Sequence, residues 1–330
     1  MPTQPTTLPP LRIWAVSDGR AGIENQVLGL AEALARLTAA EVVRKRIAYR
    51  GLVGRLPQVL NLAPLAALAT DSDPIQAPWP DLWIAAGRAT LPLSAGVRRW
   101  SEGKTFVVQL QDPRWSPDRF DLVIPPEHDG LTGPNVFPIL GSTHRVTPER
   151  LAAAYEAFRE RLDALPSPRF AVLVGGKSHA HDLPPDLAAA FAEELGAAIE
   201  SGDGSLLVTF SRRTPPEARR IITERLSSRP AWIWNGEGPN PYFAFLAAAD
   251  AIVVTADSTN MAVEAASTGK PVLVRDLQGS SPKHEALHRA LEARGAARPF
   301  DPTLEAWSYE PLRETERAAA EVLRRLGERG

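Results

Sequence analysis

An α/β protein of two Rossmann-like, doubly wound parallel-sheet lobes facing a central cleft is the fold the sequence predicts. Short apolar runs alternate with longer stretches of 3.6-residue periodicity, and the pattern occurs twice. The 330 residues exceed what one hydrophobic core usually serves. Hydrophobic residues at 44% and charged residues at 23% are the fractions of a globular chain.

In the first half, strands are predicted at Leu11–Ser17, Glu41–Ile47, Asp81–Ala85, Thr105–Leu110 and Asp121–Ile124, with a sixth near Val136–Leu140. A helix from near Glu24 places Val27, Leu30, Ala31, Leu34 and Ala35 on one apolar stripe. A helix over Pro148–Leu165 stops before Pro166-Ser167-Pro168, where proline cannot continue it. The pattern then restarts. Strands are predicted at Phe170–Val174, Leu206–Phe210, Trp232–Trp234, Ile252–Thr255 and Val272–Val274. Helices are predicted at Asp186–Glu200, Pro216–Leu226, Tyr242–Ala249, Thr259–Ser267 and His284–Ala293. The expected organisation is a disordered Pro-rich leader (1–10), an N-terminal acceptor-side lobe (11–166) and a C-terminal nucleotide-side lobe (167–310). A last helix (311–330) fits either lobe.

Composition narrows the chemistry. Without cysteine there is no disulfide, thiolate metal site, thiol nucleophile or iron–sulfur cluster. A net charge of -2 offers no overall attraction to nucleic acid. No apolar run reaches membrane-span length, and MPTQPTTLPP has neither part of a secretory signal, so a cytoplasmic chain is expected. Peripheral membrane contact and oligomeric state stay open.

Ligands of open α/β sheets bind beyond the carboxyl ends of the strands. After the first strand come Asp18-Gly19-Arg20-Ala21-Gly22, whose two glycines allow close backbone approach but lack the G-x-G-x-x-G spacing. Gly19, Arg20, Gly22 and Gln26 form the acceptor-side loop in this reading; Asp18 reads equally as a turn-forming aspartate. In the second lobe, Gly175-Gly176-Lys177-Ser178 is not a Walker A loop, because Ala171 stands where that motif needs glycine. It remains a paired-glycine turn with one cation. His179 and His181 alternate like metal ligands, but no third ligand accompanies them, and no metal is expected. Ser211, Arg212, Arg213 and Thr214 suit oxyanion binding, since arginine presents forked donors; the same residues suit an exposed basic turn.

The richest segment is NPYFAFLAAADAIVVTADSTNMAVEAASTGKPVLV. Asp257, Ser258, Thr259 and Asn260, followed by Met261, can each cap a helix or meet an anion. Capping does not account for Glu264, which lacks capping-box spacing and joins Asn260, Ser267 and Thr268 in a polar stripe.

This segment resembles the C-lobe signature of GT-B glycosyltransferases. The resemblance implies that Ser258, Thr259 and Asn260 meet a nucleotide-sugar diphosphate and that Glu264 binds the ribose. Across the blocks SDGRAGIENQ, AAGRAT, VVQLQDPR, FDLVIPPEHD, VLVGGKS, TFSRRT and TADSTNM, the chain is similar to the "elongated mitochondria" family, which implies a GT-B-like two-lobed fold. For plant members it also implies recruitment of a fission dynamin, a role not carried over to this Ala-, Arg- and Pro-rich, bacterial-looking sequence. The expected activity is metal-independent glycosyl transfer from a nucleoside-diphosphate sugar, bound as substrate without a cofactor, to an unknown acceptor. Asp18, Glu24 or His128 would serve as base. The alternatives are a non-catalytic adaptor on the same fold and a GT-B-type sugar-nucleotide epimerase.

Overall fold

A computed structural model describes residues 10–51, 61–200, 203–302 and 307–329; all but the last residue of the expected leader lies outside them. The chain forms two compact units: one runs to Arg145 and resumes at Arg313, the other spans Val146–Leu312. The helix break at Pro166–Pro168 therefore falls within the second unit.

The first unit holds β1 (Leu11–Ser17), β2 (Ala40–Arg46), β3 (Leu82–Ala86), β4 (Phe106–Leu110) and β5 (Leu122–Ile124), all parallel, in the order β2-β1-β3-β4-β5. Strand side chains alternate between faces, and the core divides accordingly. Ile13, Ala15, Leu82, Ile84 and Ala86 join Val27, Leu30 and Leu34 of α1 (Ala21–Leu37) in one cluster. Trp14, Val16, Trp83 and Ala85 join Leu91, Leu93 and Val97 of α2 (Leu91–Trp100) in another. Both faces are thus covered, and each fully buried Leu or Val contributes about 1.5–3 kcal/mol. The expected sixth strand appears only as isolated parallel bridges, Val123↔Val136 and Pro126↔Ile139. Pro125, Pro126 and Pro138 lack the N–H groups a continuous ladder needs.

The second unit begins with α3 (Pro148–Ala157), capped by Thr147 Oγ1 accepting from Arg150 N–H at 3.2 Å, and α4 (Arg159–Asp163). The single helix expected there breaks at Phe158, whose ring lies 5.5 Å from that of Trp232. The following sheet has the order β13-β11-β10-β6-β8-β9, all parallel. It is built from β6 (Arg169–Val174), β8 (Ser205–Phe210), β9 (Ala231–Ile233), β10 (Ala251–Thr255), β11 (Val272–Arg275) and β13 (Ala297–Pro299). Helices α5 (Pro185–Glu200) and α6 (Pro216–Leu226) cover one face through Phe191, Leu195 and Ile222. Helix α7 (Tyr242–Ala248) packs against β6 and β8; α8 (Thr259–Ala266) and α9 (Pro282–Ala293) follow β10 and the β11 region. Four elements had no sequence expectation: α2 of the first unit, and in the second β13 and the antiparallel ribbon of β7 (His181–Asp182) with β12 (Gln278–Gly279).

The last helix, α10 (Glu314–Gly327), packs in the first unit, with Ala318, Ala319 and Val322 in the α1 cluster. Leu140 N–H donates to Glu314 Oε2 (3.0 Å) and His144 N–H to Thr315 Oγ1 (3.0 Å). The same segment lies against α1, since a Cβ on Gly29 would stand 2.3 Å from the His144 carbonyl oxygen. Among the described residues no helix is long and apolar enough to cross a membrane. Gly29→Ala is expected to push this segment away and to cost about 1–3 kcal/mol, read as a lowered urea midpoint; an unchanged midpoint would mean that the contact is not tight.

Candidate functional site

Strand β10 is buried throughout, and the chain turns directly from it into α8. Ser258 occupies the N-cap with extended backbone, its Oγ accepting from Met261 N–H at 3.4 Å. The far end of α8 is fixed by Tyr309, whose hydroxyl donates to the Ala266 (3.0 Å) and Lys270 (2.7 Å) carbonyls. Lys270 Nζ closes α7 by donating to the carbonyls of Leu246 (2.8 Å) and Ala247 (2.5 Å), and burial pushes its pKa down to about 8.

Asp257 organises the turn. Its side chain has no exposed surface. Thr255 Oγ1 accepts from Gly175 N–H (2.7 Å) and donates to Asp257 Oδ1 (2.7 Å), while Arg213 Nη2 lies 2.8 Å from Asp257 Oδ2. A Cβ on Gly175 would stand 2.1 Å from Asp257 Oδ1, so glycine is required here for a close side-chain approach. Gly176, at φ +141, faces Pro215 and the backbone of Arg213 and Thr214. The paired glycines thus seat β6 against the Asp257 and 213–215 turns.

A cavity of about 500 Å³ opens over this network, lined by Ser178, His179, Ala180, Arg213, Asp257, Ser258, Thr259, Asn260, Ser281 and His284. The opening residues of α8 and α9 both line it, so two helix starts and a guanidinium share one polar space. Of the expected phosphate-side residues, Arg213, Ser258, Thr259 and Asn260 come together here. The others lie elsewhere. Lys177 Nζ is 3.8 Å from Asp182, and Arg212 is exposed. Thr214 Oγ1 donates to the Val174 carbonyl (2.9 Å), and Ser211 Oγ accepts from Arg213 N–H (3.0 Å). Asp257, His179, Ser281 and His284 extend the set; Ser281-Pro282, a capping residue before proline, was the sequence signal for the last two. His181 stacks on His284 with centroids 4.9 Å apart. Among the described residues no group of three or more His, Asp or Glu side chains could hold a metal ion.

Glu264 does not line the cavity. It is 7% exposed, and its Oε2 accepts from the Tyr242 hydroxyl at 2.5 Å. Burial raises its carboxyl to about 7, against the hydrogen bond from Tyr242, which lowers it; burial also raises Tyr242 well above its ordinary value.

The first-unit candidates sit at the end of β1. Asp18 is 2.7 Å from Arg20 Nη2, and Glu24 is 3.0 Å from Arg44 Nε. Gly19 adopts φ +76 beside Arg46, Gly22 lies in the first turn of α1, and His128 is half-buried after β5. Gln26 is buried, its Oε1 accepting from Gln111 Nε2 at 2.8 Å.

Two outcomes test this geometry. Gly175→Ala is expected to displace the Asp257–Arg213 pair and lose about 1–3 kcal/mol in urea unfolding. The raised Glu264 carboxyl favours the protonated folded state, so its contribution is full below about 4.5 and is lost as pH rises to about 7. Over that window wild type is expected to lose about 3 kcal/mol relative to Glu264→Gln; parallel stability–pH curves would refute this.

The chain has sequence relatives and a likeness of fold among solved structures. A family model described as Mitochondrial fission ELM1 matches residues 21–326. "Mitochondrial fission protein ELM1" of Arabidopsis thaliana is 35% identical over 278 residues, 76% of this chain and 65% of the relative, so the chain spans about two thirds of that protein's length. "Uncharacterized protein RP120" of Rickettsia prowazekii is 28% identical over 94% of this chain and 97% of its own. Among solved structures, a putative UDP-N-acetylglucosamine 2-epimerase from Listeria monocytogenes superposes with a TM-score of 0.55 at 15% identity, covering 97% of each chain, a likeness of GT-B-like fold. On a family match that spans residues 21–326, the chain belongs to the Mitochondrial fission ELM1 family.

Proposed function

We propose that the second unit binds a nucleoside-diphosphate sugar and that the chain is a metal-independent glycosyltransferase, its acceptor unassigned. The carrying observation is the cavity where the starts of α8 and α9 meet Arg213. Developing negative charge on a departing diphosphate is stabilised by helix-start N–H groups, the hydroxyls of Ser258 and Thr259, and a forked guanidinium. Asp257 positions Arg213 without cancelling the two helix ends. In this reading the expected ribose role of Glu264, which lies outside the cavity lining, requires the α7–α8 contact at Tyr242 to open so that Oε1 meets the ribose hydroxyls. Asp18 is the carboxylate nearest the role of base, once Arg20 turns to the acceptor.

The pairing of Asp18 and Glu24 with arginines favours a second reading, an adaptor that keeps the nucleotide site without turnover. The Listeria relative of fold, a putative sugar-nucleotide epimerase, supplies a third.

UDP, TDP and GDP, each titrated into the full chain, test the shared core. One is expected to raise the melting temperature, by an equivalent of about 2.7 kcal/mol at a hundredfold excess over Kd. Arg213→Ala is expected to weaken it about tenfold or more. No shift with any of them removes the nucleotide reading. Release of diphosphate from the matching sugar nucleotide distinguishes a transferase from an adaptor, and a stereoisomeric sugar nucleotide formed without acceptor identifies an epimerase.

A further inference from the structure

The first unit contains a second cavity, of about 430 Å³, at the carboxyl ends of β3 and β4. It is lined by Gly87 and Arg88 from the AAGRAT block and by Gln109, Gln111, Asp112 and Arg114 from VVQLQDPR, with Leu91 as apolar floor. The proposed nucleotide site uses neither block. Gln26 of the first block is joined to the same place by the Gln111–Gln26 hydrogen bond, and Arg20 Nη2 and Ile23 come within 3.6 Å of where a Gly87 Cβ would stand. Two strand-end segments therefore line the cavity, and the segment after β1 packs against them.

Three features of its wall are those of a binding site. Gln111 (φ +71) and Arg114 (φ +46) are two of the four non-glycine residues with positive φ among the described residues, and such backbone persists where the surroundings impose it. Arg88 and Arg114 are exposed and stand in no ion pair among the described residues. The one carboxylate in the wall, Asp112, accepts from Arg114 N–H at 2.8 Å, leaving the wall net positive. Finally, Gln109 is 1% exposed; its Nε2 donates to the Leu110 carbonyl (3.2 Å), while Oε1 has no hydrogen-bond partner. An unmade hydrogen bond on a buried group is costly and calls for a donor.

We propose that this cavity binds a small anionic carbohydrate, its phosphate or carboxylate held by Arg88 and Arg114 and a hydroxyl donating to Gln109. The forked guanidinium groups recognise the oxyanion, the volume is that of a small-ligand site, and the orphaned amide oxygen selects a hydroxylated ligand over a bare anion. This site stands independently of the nucleotide reading.

Calorimetric titration of the full chain with glucose-6-phosphate, glucuronate, glucose and inorganic phosphate tests it. At least one charged sugar is expected to bind about tenfold more tightly than both glucose, which lacks the oxyanion for the arginines, and inorganic phosphate, which lacks the hydroxyls of a sugar. Arg88→Gln and Arg114→Gln, both at exposed positions, are each expected to weaken binding about tenfold with melting temperature unchanged. Neither is expected to alter nucleotide binding, and Arg213→Ala is expected to leave sugar binding intact. Absence of saturable binding by both charged sugars, equal affinity for inorganic phosphate, or loss through Arg213→Ala rather than the first-unit variants would overturn the proposal.

Discussion

A carboxylate with no exposed surface, Asp257, stands at the end of a buried strand, and the second unit's site is arranged around it. A buried charge is tolerated only when paired and hydrogen-bonded. Thr255 gives it a hydroxyl and Arg213 a guanidinium, and Gly175 gives it room. Each partner is fixed in turn: Arg213 is held at the cavity wall, Thr255 ties β10 to the turn after β6, and the 213–215 backbone settles on Gly176. One desolvated group thereby brings three strand-end turns into register. That is the preorganisation an oxyanion site needs, because donors already in place cost little ordering when a ligand arrives.

The first unit meets a related constraint with, among the described residues, no buried charge at the carboxyl ends of its strands. Its wall is set by amides and by backbone in the left-handed region, with Gln26 and Gln111 joining α1 to the turn after β4. The unit is completed by α10, which follows the whole second unit in sequence. Glu314, almost fully buried, accepts from Leu140 N–H and pairs with Arg317, so the return of the chain is fixed by specific polar contacts as well as by alanine packing. Closure cost rises only slowly with the length of the intervening chain, so these contacts suffice to seat an element so distant in sequence.

Parallel strands buried on both faces read as continuous apolar runs, which is why LRIWAVS, FAVLV and AIVVT were legible as strands within a residue of their ends. The Ser258 cap and the start of α8 were legible for the same local reason. The purpose of Gly175 was not. Local chemistry suggests a phosphate turn, but the group it accommodates lies 82 residues away along the chain. The two-residue strands β7 and β12 carry no periodicity to read, and nothing in AYEAFRER signals the break at Phe158, which is set by a tertiary ring contact with Trp232. The cavity formed by AAGRAT and VVQLQDPR was invisible as a site because each block alone is an ordinary strand end; only the β3–β4 pairing makes them neighbours.

Asp257 and Glu264 lie seven positions apart on one strand–turn–helix unit, both buried, in contrasting surroundings. Asp257 has a guanidinium at 2.8 Å; Glu264 has only a phenol, and its carboxyl rises to about 7. Any ligand that donated hydroxyls to Glu264 would favour its ionised form and lower that value, taking a proton from the protein as it bound. The hydrogen bond from Tyr242 already acts in that direction, but desolvation outweighs it. The segment thus joins a carboxylate whose cation is built into the cavity wall to one held outside that wall by a single phenol, so pairing governs Asp257 and desolvation governs Glu264.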